Sequence, residues 1–166
     1  TDFGLTPGDT ILAGEYWFDR VEARYTGSNV RPLSLNATVS VGEFYDGDRT
    51  DLALAARLRL QPHVELQLEY ARNDVRLPAS AFIANTVRFR GDYAFSPRLT
   101  ATAFLQFDDQ SERAAVNARL RWTTSPGSDL YVVWNSAWPT GLDRGIPFAR
   151  PLRGGLVAKF VKFMRY

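Results

Sequence analysis

Hydrophobic and polar residues alternate along almost the whole chain. Every second residue in Leu52–Leu60 is leucine or alanine, and the residues between them are alanine or arginine. After the tight turn 61–63 the alternation resumes in Val64–Tyr70, where two glutamates and a glutamine separate the apolar positions. Side chains on a strand point alternately to opposite faces of a sheet. Both runs are therefore predicted to be strands with one apolar and one polar face.

The same pattern predicts nine strands of about 9–12 residues each. They are expected at residues 15–26, 32–44, 51–60, 64–71, 82–95, 98–108, 112–123, 129–138 and 155–166. Neither a helical period nor an interdomain linker is visible. Residues 1–166 are therefore predicted to be a single β-barrel domain or the C-terminal portion of one.

The predicted connections differ in length between the two ends of the strands. The tight ones, rich in turn-forming residues, are 26–29, 61–63, 96–98 and 125–128. The longer or more polar ones are 43–50, 73–81, 108–113 and 139–154. Successive connections of an up-and-down sheet lie at opposite ends, and short turns at one end with long loops at the other are typical of outer-membrane barrels.

Two solvents fit the apolar face of such a sheet. In a soluble lipocalin-like barrel this face lines the interior and binds a small apolar ligand, whereas in a membrane barrel it contacts lipid and the polar face lines the lumen. Aromatic residues near the predicted strand ends favour the membrane, because tyrosine and tryptophan prefer the headgroup boundary. The predicted interface aromatics are Tyr25, Tyr70, Tyr93, Trp122, Trp134, Trp138 and Tyr166. The chain also ends on an aromatic strand, which is the recognition signal for outer-membrane barrel assembly.

The sequence therefore predicts an all-β protein, an antiparallel up-and-down transmembrane β-barrel of the bacterial outer membrane. Single-chain bacterial barrels usually have an even number of strands, so nine strands leave the count incomplete. A tenth strand would need residues 3–13, where Pro7 and two glycines interrupt the pattern. The interpretation we favour is that the chain is part of a larger barrel.

Composition excludes several classes of protein. The 166 residues are 45% hydrophobic and 23% charged, which is not the composition of a disordered chain. The 20 basic and 18 acidic residues are intermixed, so no basic patch predicts nucleic-acid binding. The absence of cysteine excludes disulfides and thiolate metal sites. No apolar run approaches the ~20 residues of a membrane helix, but a membrane strand needs only ~10 alternating residues.

Four stretches of the sequence carry a family resemblance. They are GEYWFDRVEARYTGS, GEFYDGDRTDLALAARLRLQPHVELQLEYARNDVRLP, DYAFSPRLTATAFLQFDDQSERAAVNARLRWTTSPGSDLYVVWN and LVAKFVKFMRY. In order and spacing they resemble the C-terminal region of large bacterial proteins of unknown function that carry an N-terminal domain similar to carbohydrate-binding family 9. The resemblance implies an outer-membrane barrel with a missing N-terminal portion, and it supplies no catalytic residues. Lys162 departs from the pattern, where an apolar or aromatic residue is expected, although a lysine near a strand end can snorkel to the interface.

No group of residues predicts catalysis, so we expect no enzyme activity, no metal and no cofactor. His63 is the only histidine, and in a tight turn it is more simply a solvated residue than a general base. Asp46, Asp48 and Asp51 resemble part of a calcium loop but lack the terminal bidentate acid at the required spacing. A surface turn explains the Asp-Gly-Asp sequence equally well.

Charged residues at the polar strand positions are predicted to line the lumen. They are Arg57, Arg59, Glu65, Glu69, Arg88, Arg90, Asp92, Arg119 and Arg121. The arginines would form an anion-selective constriction if unpaired, but we favour the alternative that neighbouring acids neutralise them. The predicted function is a porin-like or transport/secretion conduit. Its expected partners are outer-membrane lipid and lipopolysaccharide, the barrel assembly machinery, and other subunits or the missing N-terminal domain, but not nucleic acid.

Overall fold

The computed structural model describes residues 15, 17–78, 80–140 and 151–162. Within these ranges the chain forms nine β-strands, and no helix there is long and apolar enough to cross a membrane. The strands are β1 (Arg20–Thr26), β2 (Leu33–Phe44), β3 (Gly47–Leu60), β4 (Val64–Arg76), β5 (Ala81–Ser96), β6 (Leu99–Asp108), β7 (Arg113–Ser125), β8 (Ser128–Pro139) and β9 (Arg153–Lys162). The predicted all-β class and the predicted number of strands are confirmed.

Each strand pairs antiparallel with the next one along the chain, which gives a single up-and-down sheet in the order β1 to β9. β1 and β9 form the two edges of this sheet, and in the described part of the chain they do not pair with each other. We term the end with the connections 27–32, 61–63, 97–98 and 126–127 the lower end. The opposite end, with the turns 45–46, 77–80 and 109–112, is the upper end.

Residues 43–50 were predicted to form one of the longer or more polar connections, and the predicted length was wrong. β2 continues to Phe44 and β3 begins at Gly47, so only two residues form the turn, and the first of them, Tyr45, has a φ of 56°. Backbone pairing continues through Glu43 and Asp48 because hydrogen bonds between main chains do not depend on the polarity of the side chains. The difference in connection length between the two ends is therefore weaker than predicted.

Other strand bounds differ less from the predictions. β1 begins at Arg20, five residues later than the predicted start at 15, and β4 continues to Arg76. β9 begins at Arg153 and is described as far as Lys162. The predicted end of the last strand at Tyr166 and most of the predicted loop 139–154 lie outside the described residues.

The register of the sheet brings the apolar positions of all nine strands onto one face. Leu58 of β3, for example, lies opposite Leu33 of β2 and Leu66 of β4. We term this side the apolar face and the opposite side the polar face. Because side chains alternate strictly along a strand, a register shift of one residue anywhere would move apolar residues to the polar face. The described strands keep this alternation except near the lower end, where the register shifts between Ala94 and Ser96 of β5 and between Thr123 and Ser125 of β7.

The apolar face is a band that crosses the strands obliquely. In β2 the band covers Leu33–Val41, and in β8 it covers Leu130–Trp138. The pairing of the strands between them puts Leu33 level with Trp134. Both boundaries of the band therefore lie four residues nearer the lower end in β8 than in β2.

Few side chains of the described residues are buried in a core. Val75 and Trp138 are the buried hydrophobic residues there, at 3% and 6% exposure. On the apolar face even mid-strand side chains are open, such as Leu68 at 49%. The exposed large side chains of this face include Val21, Tyr25, Leu33, Leu35, Val39, Val41, Leu54, Leu60, Leu68, Ile83, Tyr93, Leu105, Phe107, Leu120, Trp122, Trp134, Leu156 and Phe160. One side of the sheet thus presents a continuous apolar surface.

Candidate functional site

The polar face brings together all nine charged residues that the sequence predicted to share one side. Arg59 lies opposite Glu65, Glu69 lies opposite Arg88, and the pairing of β6 with β7 puts Arg119 and Arg121 on the same side. Whether this face lines a lumen stays a prediction. These nine residues belong to two groups of charges, one on β3–β5 and one on β7–β9, and further charges of the same face lie on β1–β3.

In the β3–β5 group the acids have arginine partners. Arg57 donates a hydrogen bond of 2.9 Å from Nε to Glu65, and its Nη2 also bonds the same carboxylate oxygen. Gln67 donates to that oxygen at 2.9 Å. Arg88 lies 3.7 Å from Glu69. These contacts agree with the interpretation that neighbouring charges neutralise each other.

Asp92 continues the β3–β5 group towards β6. Arg90 donates a hydrogen bond of 2.9 Å to this carboxylate, and the Thr102 hydroxyl donates another of 2.8 Å from the adjacent strand. Arg59 is less well satisfied, since its Nη2 atom is buried without a hydrogen-bond partner among the described residues. The paired arrangement is therefore incomplete only at this guanidinium.

The β7–β9 group centres on Tyr131. Arg121 donates to both carboxylate oxygens of Asp129, at 3.2 and 3.1 Å, and Thr123 donates to the same group at 2.6 Å. The guanidinium carbons of Arg119 and Arg121 lie 5.4 and 5.9 Å from the centroid of the Tyr131 ring. Both cations therefore flank one aromatic ring, and Asp129 is occupied by Arg121 and Thr123.

Sequence reasoning missed several residues of this face. Asp129 and Tyr131 were not among the predicted site residues, although both stand at polar positions of β8. Asp51 of β3 was considered only for calcium binding, yet it forms ion pairs with Arg20 and Arg49. The alternation could have identified these residues as members of the polar face, but not their partners, because the partners depend on the register.

A hydrogen-bonded network fixes the upper end between β4 and the 109–112 turn. Tyr70 donates from its hydroxyl to Asn85 at 2.7 Å, and Asn85 donates from its amide to Asp109 at 2.6 Å. At the end of β6, Asp108 accepts a hydrogen bond of 2.8 Å from the backbone N–H of Ser111. These contacts hold a turn in which Glu112 has a φ of 48°.

The predicted interface aromatics occupy two kinds of position. Tyr25, Tyr93 and Trp122 lie near the lower end of their strands, and Trp138 lies near the upper end. For Tyr70 and Trp134 the expected position at a strand end was wrong, because β4 extends beyond Tyr70 and β8 extends on both sides of Trp134, so both are in mid-strand. Tyr166 lies outside the described residues.

A further aromatic cluster was not predicted. Phe18, Phe44 and Tyr45 contact one another at the upper end, with ring centroids 4.8–6.4 Å apart. The signal for it was in the turn itself, where Phe44 and Tyr45 are adjacent in sequence. The cluster adds aromatic surface at the end of the sheet where fewer of the predicted interface residues lie.

No constellation suited to metal binding or acid–base catalysis is found in the part of the chain that the structure describes. His63 is exposed, and its Nδ1 lies 2.8 Å from the carbonyl oxygen of Ala94. Groups of three or more histidine, cysteine, aspartate or glutamate residues that could hold a metal ion are absent there. The features that the described residues offer for function are therefore the apolar face and the charged polar face.

Comparison of the chain with protein-family models, curated proteins and solved structures finds no match. The family resemblance carried by the four sequence stretches stays a prediction.

Proposed function

We propose that this chain forms part of a β-barrel of the bacterial outer membrane that acts as a porin-like or transport/secretion conduit. Its apolar face contacts lipid and lipopolysaccharide, and its polar face lines a water-filled lumen. The barrel assembly machinery inserts it, and other subunits or an N-terminal domain are its further partners. The observation that carries the proposal is the extent of exposed apolar surface on one face of the sheet.

The size of this surface supports lipid rather than water as its solvent. Monomeric soluble proteins rarely expose contiguous apolar patches larger than a few hundred Å². Here the patch extends over nine strands, and leucines in its interior, such as Leu54 and Leu68, are more than 40% exposed. Membrane barrels carry such an outward apolar band with aromatic residues at its margins. A soluble lipocalin-like barrel, or calyx, would instead have to enclose these leucines.

The polar face supports the second half of the proposal. Its ion pairs leave the participating side chains partly open to solvent: the exposed fraction is 40% for Arg57 and 27% for Glu65. Partly hydrated charges on the inward side of alternating strands are typical of barrels with a polar interior.

Reconstitution of the full-length protein tests the proposal. The protein is diluted from urea into vesicles of outer-membrane lipids or into buffer alone, and folding is followed by band shift on unheated gels and by flotation. We expect folding only with vesicles, together with release of small entrapped solutes. A protein that stays folded and soluble at high concentration without lipid, and that retains a hydrophobic dye in one saturable site, would establish the calyx instead.

A further inference from the structure

We propose that the lumen selects for anions, and that Arg119 and Lys159 on the β7–β9 wall supply the selectivity. This inference deepens the proposed conduit and rests on it. It identifies the class of solute that the conduit passes, and it divides the arginines, which the sequence could only treat as one set, into paired and unpaired groups.

The charge balance of the β7–β9 wall carries the inference. Basic residues on the polar face of these three strands are Arg113, Arg119, Arg121, Arg153 and Lys159. Asp129 is the acidic residue that accompanies them on this face of the described strands. Counting Asp108 of β6, which lies opposite Arg113, the basic residues still exceed the acidic ones.

The single acid of this wall is already occupied. Asp129 receives both donors of Arg121 and the hydroxyl of Thr123, and the Tyr131 hydroxyl lies 3.4 Å from it. Arg119 has the Tyr131 ring as its partner, and a ring does not neutralise a cation. Lys159 lies directly opposite Tyr131 on β9. Neither Arg119 nor Lys159 forms an ion pair in the described part of the protein.

The net charge of the polar face differs between β3–β5 and β7–β9. On β3–β5, Arg57, Arg88 and Arg90 each contact a carboxylate and Arg59 is the arginine left without one among the described residues, so the excess of positive charge is smaller than on β7–β9. On β7–β9 the two cations without an ion pair lie on either side of β8. Lys159 of β9 is level with Arg121 through Tyr131, and Arg119 lies two residues from Arg121 along β7. Clustered cations on a lumen wall attract anions and repel cations, which is how charged rings select ions in pores.

Reversal potentials of the full-length protein in planar bilayers under a potassium chloride gradient test the inference. We expect the wild-type pore to prefer chloride. The double variant Arg119→Gln/Lys159→Gln is expected to lower the chloride-to-potassium permeability ratio by about threefold or more. A change of about half of kT in the local potential energy suffices, because it acts on anions and cations in opposite directions. The charge-conserving Arg119→Lys/Lys159→Arg variant is expected to keep the ratio of the wild type, which separates charge from side-chain shape.

A control variant removes the same number of charges elsewhere. Arg31→Gln/Arg98→Gln removes two cations from the lower-end connections 27–32 and 97–98, outside the polar face of the strands. It is expected to leave the ratio unchanged. A conducting pore with potassium preference, or one unaffected by the Arg119/Lys159 double variant, overturns the inference alone. Absence of current from a folded, inserted wild-type protein overturns the proposed conduit and the inference together.

Discussion

Arg20 of β1 and Asp51 of β3 form an ion pair that passes over the intervening strand β2. The residue of β2 beside Arg20 is Gly42, which has no side chain to obstruct the contact. A Cβ atom placed on Gly42 would lie 2.6 Å from the Cα and 2.7 Å from the Cγ of Arg20. The absence of a side chain at one position thus allows an edge strand to be tied to the third strand of the sheet.

Replacement of this glycine is therefore expected to loosen β1. Gly42→Ala forces the new methyl group against the β1 backbone, and we expect a loss of about 1–3 kcal/mol in the free energy of unfolding, the usual cost of overpacking. Gly155→Ala is the matched control, since a Cβ there meets nothing within 4 Å. Hydrogen exchange of the β1 amides and urea unfolding measure the effect. Equal behaviour of the two variants would contradict the role assigned to Gly42.

Charge on the apolar face is expected to prevent insertion into lipid. Leu54→Lys and Leu66→Lys should each cost about 2–4 kcal/mol near the middle of a bilayer. The neighbouring residues Ala53 and Gln67 point to the polar face, so Ala53→Lys and Gln67→Lys are controls with the same new charge. Folding yield in vesicles is the measurement. Normal insertion of the Leu54 and Leu66 variants would rule out a lipid-facing position for these leucines.

The Arg57–Glu65 pair is expected to contribute little to stability. Both side chains are partly exposed, and measured exposed ion pairs contribute about 0.2–1 kcal/mol. A double-mutant cycle with Arg57→Gln and Glu65→Gln, read by unfolding in vesicles, should give a coupling energy in this range that decreases with added salt. A coupling energy above about 3 kcal/mol, the scale of buried pairs, would mean that this part of the face is closed to water.

The 109–112 turn contains a residue in a strained backbone conformation. Glu112 has a φ of 48°, a region that L-residues other than asparagine and aspartate rarely adopt. Glu112→Gly removes the steric cost and is expected to stabilise the protein by up to about 1 kcal/mol, because the greater freedom of glycine in the unfolded chain offsets part of the gain. Glu112→Ala keeps the Cβ and serves as the control. Thermal unfolding that ranks the alanine variant above the glycine variant would contradict this reading of the turn.

Most of the fold could be predicted from the sequence because side-chain alternation is a local property. The parity of Leu52–Leu60 and Val64–Tyr70 survives unchanged in the sheet, where these residues share one face. Turn lengths were harder to predict. Residues 43–50 are polar and contain the Asp-Gly-Asp sequence, yet their backbone continues the ladder on both sides of a two-residue turn.

The candidate site could be predicted only to the level of a face. Membership of the polar face follows from parity, and all nine predicted residues obey it. The partner of each charge depends on register, which is fixed by turn geometry that the sequence does not specify to one residue. Asp129 was therefore missed as the acid bound by Arg121, and the difference between paired and unpaired arginines was not visible.

The oblique course of the apolar band indicates how far the strands tilt. A displacement of four residues over the six steps from β2 to β8 amounts to roughly 13 Å along the strands for roughly 29 Å across them. Strands in a flat apolar slab of constant thickness would then lean by roughly 25° from its normal. Strands must tilt and be staggered in this way for a sheet to close into a barrel. The leucines of the apolar face would therefore also determine the tilt of the strands.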